Sequence, residues 1–198
     1  RKQLGWSKGN DADELRKYNS IISIPPFGTK IDQSLKKDLK KYGINESQEI
    51  YYFILHMIEF LDKGGIFAVV VPSSFLFSGS GQTRRKISDA CNILGLIQLP
   101  SGYFYPQHAV GACLVLLERK EKNKEQANKI FAYDIPKQTN PKNYDKLFKE
   151  AILKFKEYQD TGKIENADYD EIIFELDIKE LDRTWYFMDK TPHFKKLT

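Results

Sequence analysis

The segment that most constrains the fold is Ile66 to Val71, "IFAVVV", six apolar residues in succession with no alternation of polarity. A strand exposed on one face alternates, whereas an unbroken run of this length fits a strand covered on both faces, as in parallel sheets. The run therefore belongs at the centre of a sheet with helices on its faces. A chain of 198 residues, 41% hydrophobic and 13% aromatic, can supply that cover as one domain plus an appendage.

Around this run, strand and helix alternate. "NSIIS", from Asn19 to Ser23, is a short apolar segment stopped by Pro25 and Pro26. Proline cannot donate to a ladder, so the strand ends there in a loop. Ile50, Phe53, Ile54, Met57, Ile58 and Leu61 recur at helical spacing and predict a helix over about residues 46 to 63. Asn45 and Gln48 are placed to cap its start, and Gly64 to stop its end. After the central strand come a Gly/Ser turn at Ser78 to Gly81, a helix to about Asn92, the strand "LGLIQL", an aromatic loop "PSGYFYPQH" and the strand "ACLVLLE". The loop is about ten residues long and holds no helix, which predicts antiparallel pairing of these two strands. Beyond Arg119, "KIFAYDI" reads as a further strand, and Tyr144, Leu147, Phe148, Ala151, Ile152 and Phe155 as a second amphipathic helix. The segment Asp168 to Thr198 is mixed, and the fold class is α/β.

Several classes of protein are disfavoured. No apolar run approaches the roughly 20 residues of a membrane span, and no charged-then-apolar leader opens the chain. A soluble, cytoplasmic protein is expected. Cys91 and Cys113 are single and lack CxxC spacing, so they read as buried thiols of a reducing compartment rather than a disulfide or metal site. His56, His108 and His193 have no nucleophile or metal-type partner at useful spacing and read as structural. Thirty-one Lys plus Arg against 27 Asp plus Glu give a net charge of +4 and a pI near 8.8, which permits nucleic-acid contact without demanding it.

Taken in order and spacing, "IPPFG", a long helix, "GGIFAVVVPSSFLFSGSG", a helix beginning "QTRRKI", "ILGLIQLPSGYFYP" and "GACLVLLER" resemble the second half of the catalytic domain of adenine-specific DNA methyltransferases. The likeness is greatest to the modification (M) subunit of type I restriction systems and covers roughly residues 9 to 135. It implies the C-terminal half of a Rossmann-like, S-adenosylmethionine-dependent methyltransferase fold, a mostly parallel sheet ending in an antiparallel hairpin. That partial catalytic domain would occupy residues 1–135, its cofactor half lying upstream, with a C-terminal helical extension over residues 136–198. Implied partners are double-stranded DNA, a specificity subunit and a restriction subunit.

The chemistry of that family explains the double proline. To methylate an exocyclic amine inside a duplex, such an enzyme flips the adenine out and holds its edge and faces. The family's loop reads Asn-Pro-Pro-Phe or Asn-Pro-Pro-Tyr, with the Asn oxygen and the first proline carbonyl accepting the two amine hydrogens. By resemblance the loop here is Ile24, Pro25, Pro26 and Phe27. Pro25 would supply the carbonyl, fixed by locked proline φ angles, Phe27 would stack on the base, and Gly28 would admit close approach of the backbone. Phe104 and Tyr105 are candidates for the base's other face. Ile24, however, stands where the family has its side-chain acceptor. An unsatisfied donor costs about 1–3 kcal/mol. Ser23, the next residue back, points to the opposite face of a strand. Two readings stay open: an enzyme half whose activity is compromised at Ile24, and a non-catalytic DNA- or protein-binding module built on the same fold.

The cofactor is represented weakly. Asp11 in "GNDADEL" is a candidate contact to the adenine of S-adenosylmethionine, against the plainer reading of a solvated acidic turn. Gly79-Ser80-Gly81 lacks a third glycine and the following strand ends in Leu99-Pro100 rather than an acid, so it reads as a turn. Lys36, Lys37, Lys40, Lys41, Arg84, Arg85 and Lys86 are candidate phosphate contacts, the alternative being an ordinary solvated face.

Overall fold

The computed structural model describes residues 16–77, 81–104, 109–121, 125–137, 143–163, 173–177 and 185. Six strands form one sheet: β1 (Tyr18–Ser23), β2 (Leu61–Pro72), β3 (Cys91–Leu99), β4 (Ala112–Arg119), β5 (Lys129–Asp134) and β6 (Ile173–Asp177), in the spatial order β1-β2-β4-β3-β5-β6. The short helix α1 (Lys36–Leu39) sits between 3-10 turns, and α2 (Glu49–Phe60), α3 (Gly81–Ala90) and α4 (Asn143–Thr161) are the longer helices.

The central run lies where its composition demands. β2 pairs with β1 on one side and β4 on the other, and Phe67, Val69, Val70 and Val71 are all buried. Only its β1 side is parallel, however; the β4 side is antiparallel. Across the sheet, β1/β2 and β3/β5 are parallel, while β2/β4, β3/β4 and β5/β6 are antiparallel. The sheet is therefore mixed, which corrects the expectation of a mostly parallel one. An unbroken apolar run reports cover on two faces, not the direction of its neighbours. The antiparallel pairing of β3 with β4 is as expected. The segment after residue 136 is not purely helical: alongside α4 it contributes β6 to the sheet, and Trp185 to the core.

Each face of the sheet carries its own cluster. On one, Ile50, Ile54 and Ile58 of α2 and Ile87 of α3 pack on Phe67, Val69, Val71, Leu96, Val115 and Leu117. On the other, Tyr144, Ala151 and Tyr158 of α4 pack on Val70, Ile97, Leu114, Leu116, Phe131 and Tyr133. Each fully buried aliphatic or aromatic side chain contributes about 1.5–3 kcal/mol relative to exposure. Cys91 and Cys113 are free and buried, and burial pushes the Cys91 thiol up to about 12 despite Arg119 and Lys120 nearby.

Helix α2 is shorter than its periodicity suggests, and its ends are made by tertiary contacts. Gln48 occupies the N-cap position without a side-chain capping bond; instead the Glu49 amide donates to the Thr29 carbonyl at 3.0 Å. At the other end, Leu61 turns extended immediately, before Gly64 is reached. The orphan carbonyls are met by Arg119 of β4, whose Nη1 donates to Ile58 and Leu61 at 2.6 Å each. A second device sits in β3, where the register shifts between Ile93 and Gly95. There the Gln126 amide accepts from the Ile93 N–H at 2.6 Å and donates to the Ile93 carbonyl at 3.0 Å, standing in for a strand partner.

Candidate functional site

Because β1, β2, β3 and β5 run in one direction and β4 in the other, the four ends at Ser23, Pro72, Leu99 and Asp134 share one edge of the sheet. Loops at that edge carry Ile24 to Gly28 and Phe104, in the usual place for a site in an α/β sheet.

The double-proline loop leaves β1 at this edge. Ile24 is 62% exposed, Pro25 is buried, Pro26 is exposed and Phe27 is half-buried against the clusters on both faces. Gly28 has φ +74°, and nothing lies within 4 Å of where a Cβ would stand. The glycine is required by backbone conformation rather than by crowding.

From the far side of β2 and β4, the β3–β4 loop reaches back to the same place. Phe27 and Phe104 meet edge to face, their ring centroids 6.5 Å apart at 87°. Phe104 is held in turn by Tyr103 at 5.1 Å, and Tyr103 by Tyr144 and Phe148 of α4 at 5.2 and 6.4 Å. Gly102, at φ +85°, makes the turn that delivers them, closed by the Tyr103 amide on the Pro100 carbonyl at 3.1 Å. Burial, with a smaller effect of Asp145, raises the Tyr103 hydroxyl above its ordinary range and keeps it neutral. An aromatic wall supported by α4 thus faces the Pro-Pro-Phe loop. Tyr105 and Asp11 lie outside the described residues.

The basic candidates divide. Lys37, Lys40, Arg85 and Lys86 are exposed, and Lys86 brings α3 beside the 3-10 turn Lys40–Tyr42, its Nζ 3.4 Å from the Cβ position of Gly43. The side chain of Lys36 is outside what the structure describes. Lys41 is engaged elsewhere: it pairs with Glu59 at 3.2 Å and lies 4.6 Å from the centre of the Tyr42 ring. Burial pushes the Glu59 carboxyl up, but Lys41 and then His56 outweigh it and hold it below the ordinary range. His56 bonds the Tyr42 hydroxyl at 2.7 Å and Glu59 at 3.2 Å, tying this turn to α2 as a structural histidine would. Arg84 is a correction. It is 5% exposed, donates to the Phe75 carbonyl at 3.0 Å and is held by burial below its usual pKa, so it braces the turn after β2 instead of facing phosphate. Helical periodicity decides the outcome: Arg84 falls on the inward face of α3 with Thr83 and Ile87, whereas Arg85 and Lys86 fall outside it.

Sequence reasoning missed a polar row at the same edge: Gln98, which is buried, with Ser73 and Asp134, which are half-buried. Gln98 donates through Nε2 to Ser73 Oγ at 2.7 Å and to the Leu99 carbonyl at 3.1 Å. The available signal was a polar residue near the C-terminal end of each of two apolar strands, Gln98 in "ILGLIQL" and Asp134 in "KIFAYDI". Buried polar residues of that kind are the informative exceptions.

Residues 4–193 match the family model described as N-6 DNA Methylase. Among curated proteins, the chain is similar to the type I restriction enzyme EcoKI methylase subunit of Escherichia coli (strain K12), at 30% identity over 150 residues, 73% of this chain and 27% of that protein. It therefore spans about a quarter of the length of the curated relatives it matches. Among solved structures, it is similar in fold to a chain from a study of the assembly and conformational transition of the type I R-M system, at TM-score 0.70 and 21% identity, covering 86% of this chain and 37% of that one. It is also similar in fold to the type I restriction-modification methyltransferase subunit from Streptococcus thermophilus, at TM-score 0.64 and 17% identity, covering 88% and 37%. With a mixed α/β fold shared with methyltransferases and a match along nearly its whole length, the chain belongs to the N-6 DNA methylase family.

Proposed function

We propose that this chain is the base-holding half of a DNA adenine methyltransferase domain from a type I modification subunit. The observation that carries this reading is the meeting of Phe27 with Phe104 at the strand ends, from the loop after β1 and the β3–β4 loop on the other side of β2. The two rings pack on each other edge to face, so a planar, flipped base would stack on the open face of one of them while hydrogen bonds hold its edge. In this arrangement the Pro25 carbonyl accepts one hydrogen of the exocyclic amine and Gly28 lets the backbone come close. When bound, S-adenosylmethionine supplies the methyl group. Asp11 is its candidate contact within this chain, and the rest of its cradle belongs to the parent protein's remaining length. That length would adjoin β1, an edge strand whose Ile22 is 83% exposed. Double-stranded DNA, with a specificity subunit to select the sequence, completes the assembly, and a restriction subunit is a further partner.

The roles of this chain's residues are to bind and orient. Stacking fixes the plane of the base, and the Pro25 carbonyl fixes the direction of the amine. Ile24 leaves the second amine hydrogen without an acceptor, which weakens the orientation by about 1–3 kcal/mol. That same residue favours a second reading, a non-catalytic module retaining the fold for DNA or protein contact.

Transfer of labelled methyl groups to DNA by the full-length parent protein separates the two. Activity lost in Phe27→Ala and in Phe104→Ala, with folding intact by circular dichroism, supports the enzyme. Absence of transfer in the unmodified parent, on DNA bound by its specificity subunit, supports the module.

A further inference from the structure

The polar row at the strand ends, buried at Gln98, holds an imbalance that neither the aromatic wall nor the family explains. Gln98 is 8% exposed, and both bonds recorded for its side chain are made by Nε2; its Oε1 is fully buried and has no hydrogen-bond partner. A buried amide oxygen without a donor is rare and costly. Asp134 is the residue directly beside it. The parallel pairing of β3 with β5 sets Gln98 against Asp134, two residues on from Leu96 against Ala132. Leu96 and Ala132 both belong to the cluster under α2 and α3, so the period of two puts Gln98 and Asp134 on that same face. A carboxylate there offers only acceptors and repels an amide oxygen. A carboxylic acid offers one O–H donor.

We propose that Asp134 is a half-buried proton-binding residue whose neutral carboxyl donates its O–H to Gln98 Oε1. This completes a relay from the end of β5, through β3, to Ser73 at the end of β2. The relay reaches further, because the Ser73 amide donates to the Gly111 carbonyl at 2.9 Å, ahead of β4. The side-chain bonds thus join the ends of β5, β3 and β2, with β4 held alongside through the backbone. Gly111 fits this closeness: a Cβ there would lie 3.0 Å from Ser73 Oγ and 3.5 Å from Gln98 Nε2.

The surroundings agree. Burial alone pushes the Asp134 carboxyl up to about 6. The titratable group facing it from β4 is Cys113, opposite Gln98 in register, whose thiol is held neutral chiefly by burial. From the neighbouring helical layer, the buried cation Arg84 is directed to the Phe75 carbonyl. The turn Ser73–Leu76 contributes only hydroxyls. No ion pair to Asp134 is recorded among the described residues. The inference does not depend on methyl transfer and holds equally for a catalytic or a non-catalytic chain.

Carboxyl and side-chain amide NMR of the intact chain tests it across pH 4 to 8. The expected result is that Asp134 titrates well above an ordinary aspartate and that the Gln98 side-chain amide resonances move with the same midpoint. Gln98→Met then gives the sharper outcome. If the neutral acid donates to Gln98, removing the acceptor lowers the Asp134 midpoint by about one pH unit, since a bond to the neutral form is lost. A midpoint unchanged or raised in Gln98→Met would overturn the proposal, as would Gln98 resonances indifferent to pH in the unmodified chain. Should Gln98→Met fail to fold, Asp134→Asn serves. Its amide N–H replaces the acid's donor, so the Gln98 shift becomes independent of pH, and a shift that persists counts against the relay.

Discussion

At the residue scale, the proposed function turns on Ile24. It is mostly exposed at the open end of β1, so it does not hold the core together. Ile24→Asn should accordingly change stability by no more than about 0.5 kcal/mol, as for other surface positions. In the full-length parent with methyl donor and DNA, the same substitution should raise methyl transfer, because it restores an acceptor beside the Pro25 carbonyl. Thermal unfolding alongside a labelled-methyl assay checks both; a drop of several degrees with no gain in transfer contradicts the base-holding role. Gly95 makes an opposite prediction. A Cβ there would lie 3.2 Å from the Phe131 carbonyl and 3.3 Å from both Phe131 Cβ and the Phe155 ring. Gly95→Ala should cost about 1–3 kcal/mol through overpacking, measured by urea unfolding.

At the scale of elements, Arg119 shows how a helix is ended by a strand elsewhere in the chain. Its guanidinium serves the last carbonyls of α2 and the first of β2, where no glycine cap exists. Arg119→Ala leaves those half-buried carbonyls without their charged donor and should destabilise the chain by about 1.5–3 kcal/mol. Arg119→Met, which keeps most of the apolar stem, should recover little if the hydrogen bonds matter, and most of the loss if only packing does; chemical denaturation distinguishes these outcomes. The periodic apolar residues of α2 announced the helix but placed its ends about three residues too far out on each side. Local sequence marks which residues face the core. Where the helix stops depends on partners at Thr29 and Arg119.

At the scale of the whole molecule, charge is the weak determinant and topology the strong one. A net charge of +4 is small, Arg84 is withdrawn into the core and Lys41 is paired. DNA binding by this chain alone should therefore be weak, independent of sequence and steeply reduced between 50 and 200 mM salt, since phosphate contacts position without specifying. Gel-shift competition at the two salt concentrations tests this, and a strong preference for one sequence contradicts it. Lys86→Glu or Arg85→Glu should lower that binding, whereas Arg84→Gln should lower stability instead.

The sequence by itself determined the succession of the longer strands and helices from β1 to α4, the burial of "IFAVVV", the end of β1 at the double proline and the antiparallel β3–β4 pair, because periodicity and proline chemistry act within a few residues. Only the tertiary structure decided three further things. It set the direction of strand pairing on each side of β2, since an apolar run is silent about direction. It brought Phe27 against Phe104 and turned Arg84 inward, because both depend on which helix face and which sheet edge the remote parts of the chain present. And it set Gln98 beside Asp134, two polar residues that each look like an isolated exception in an apolar strand until the register of β3 on β5 makes them neighbours.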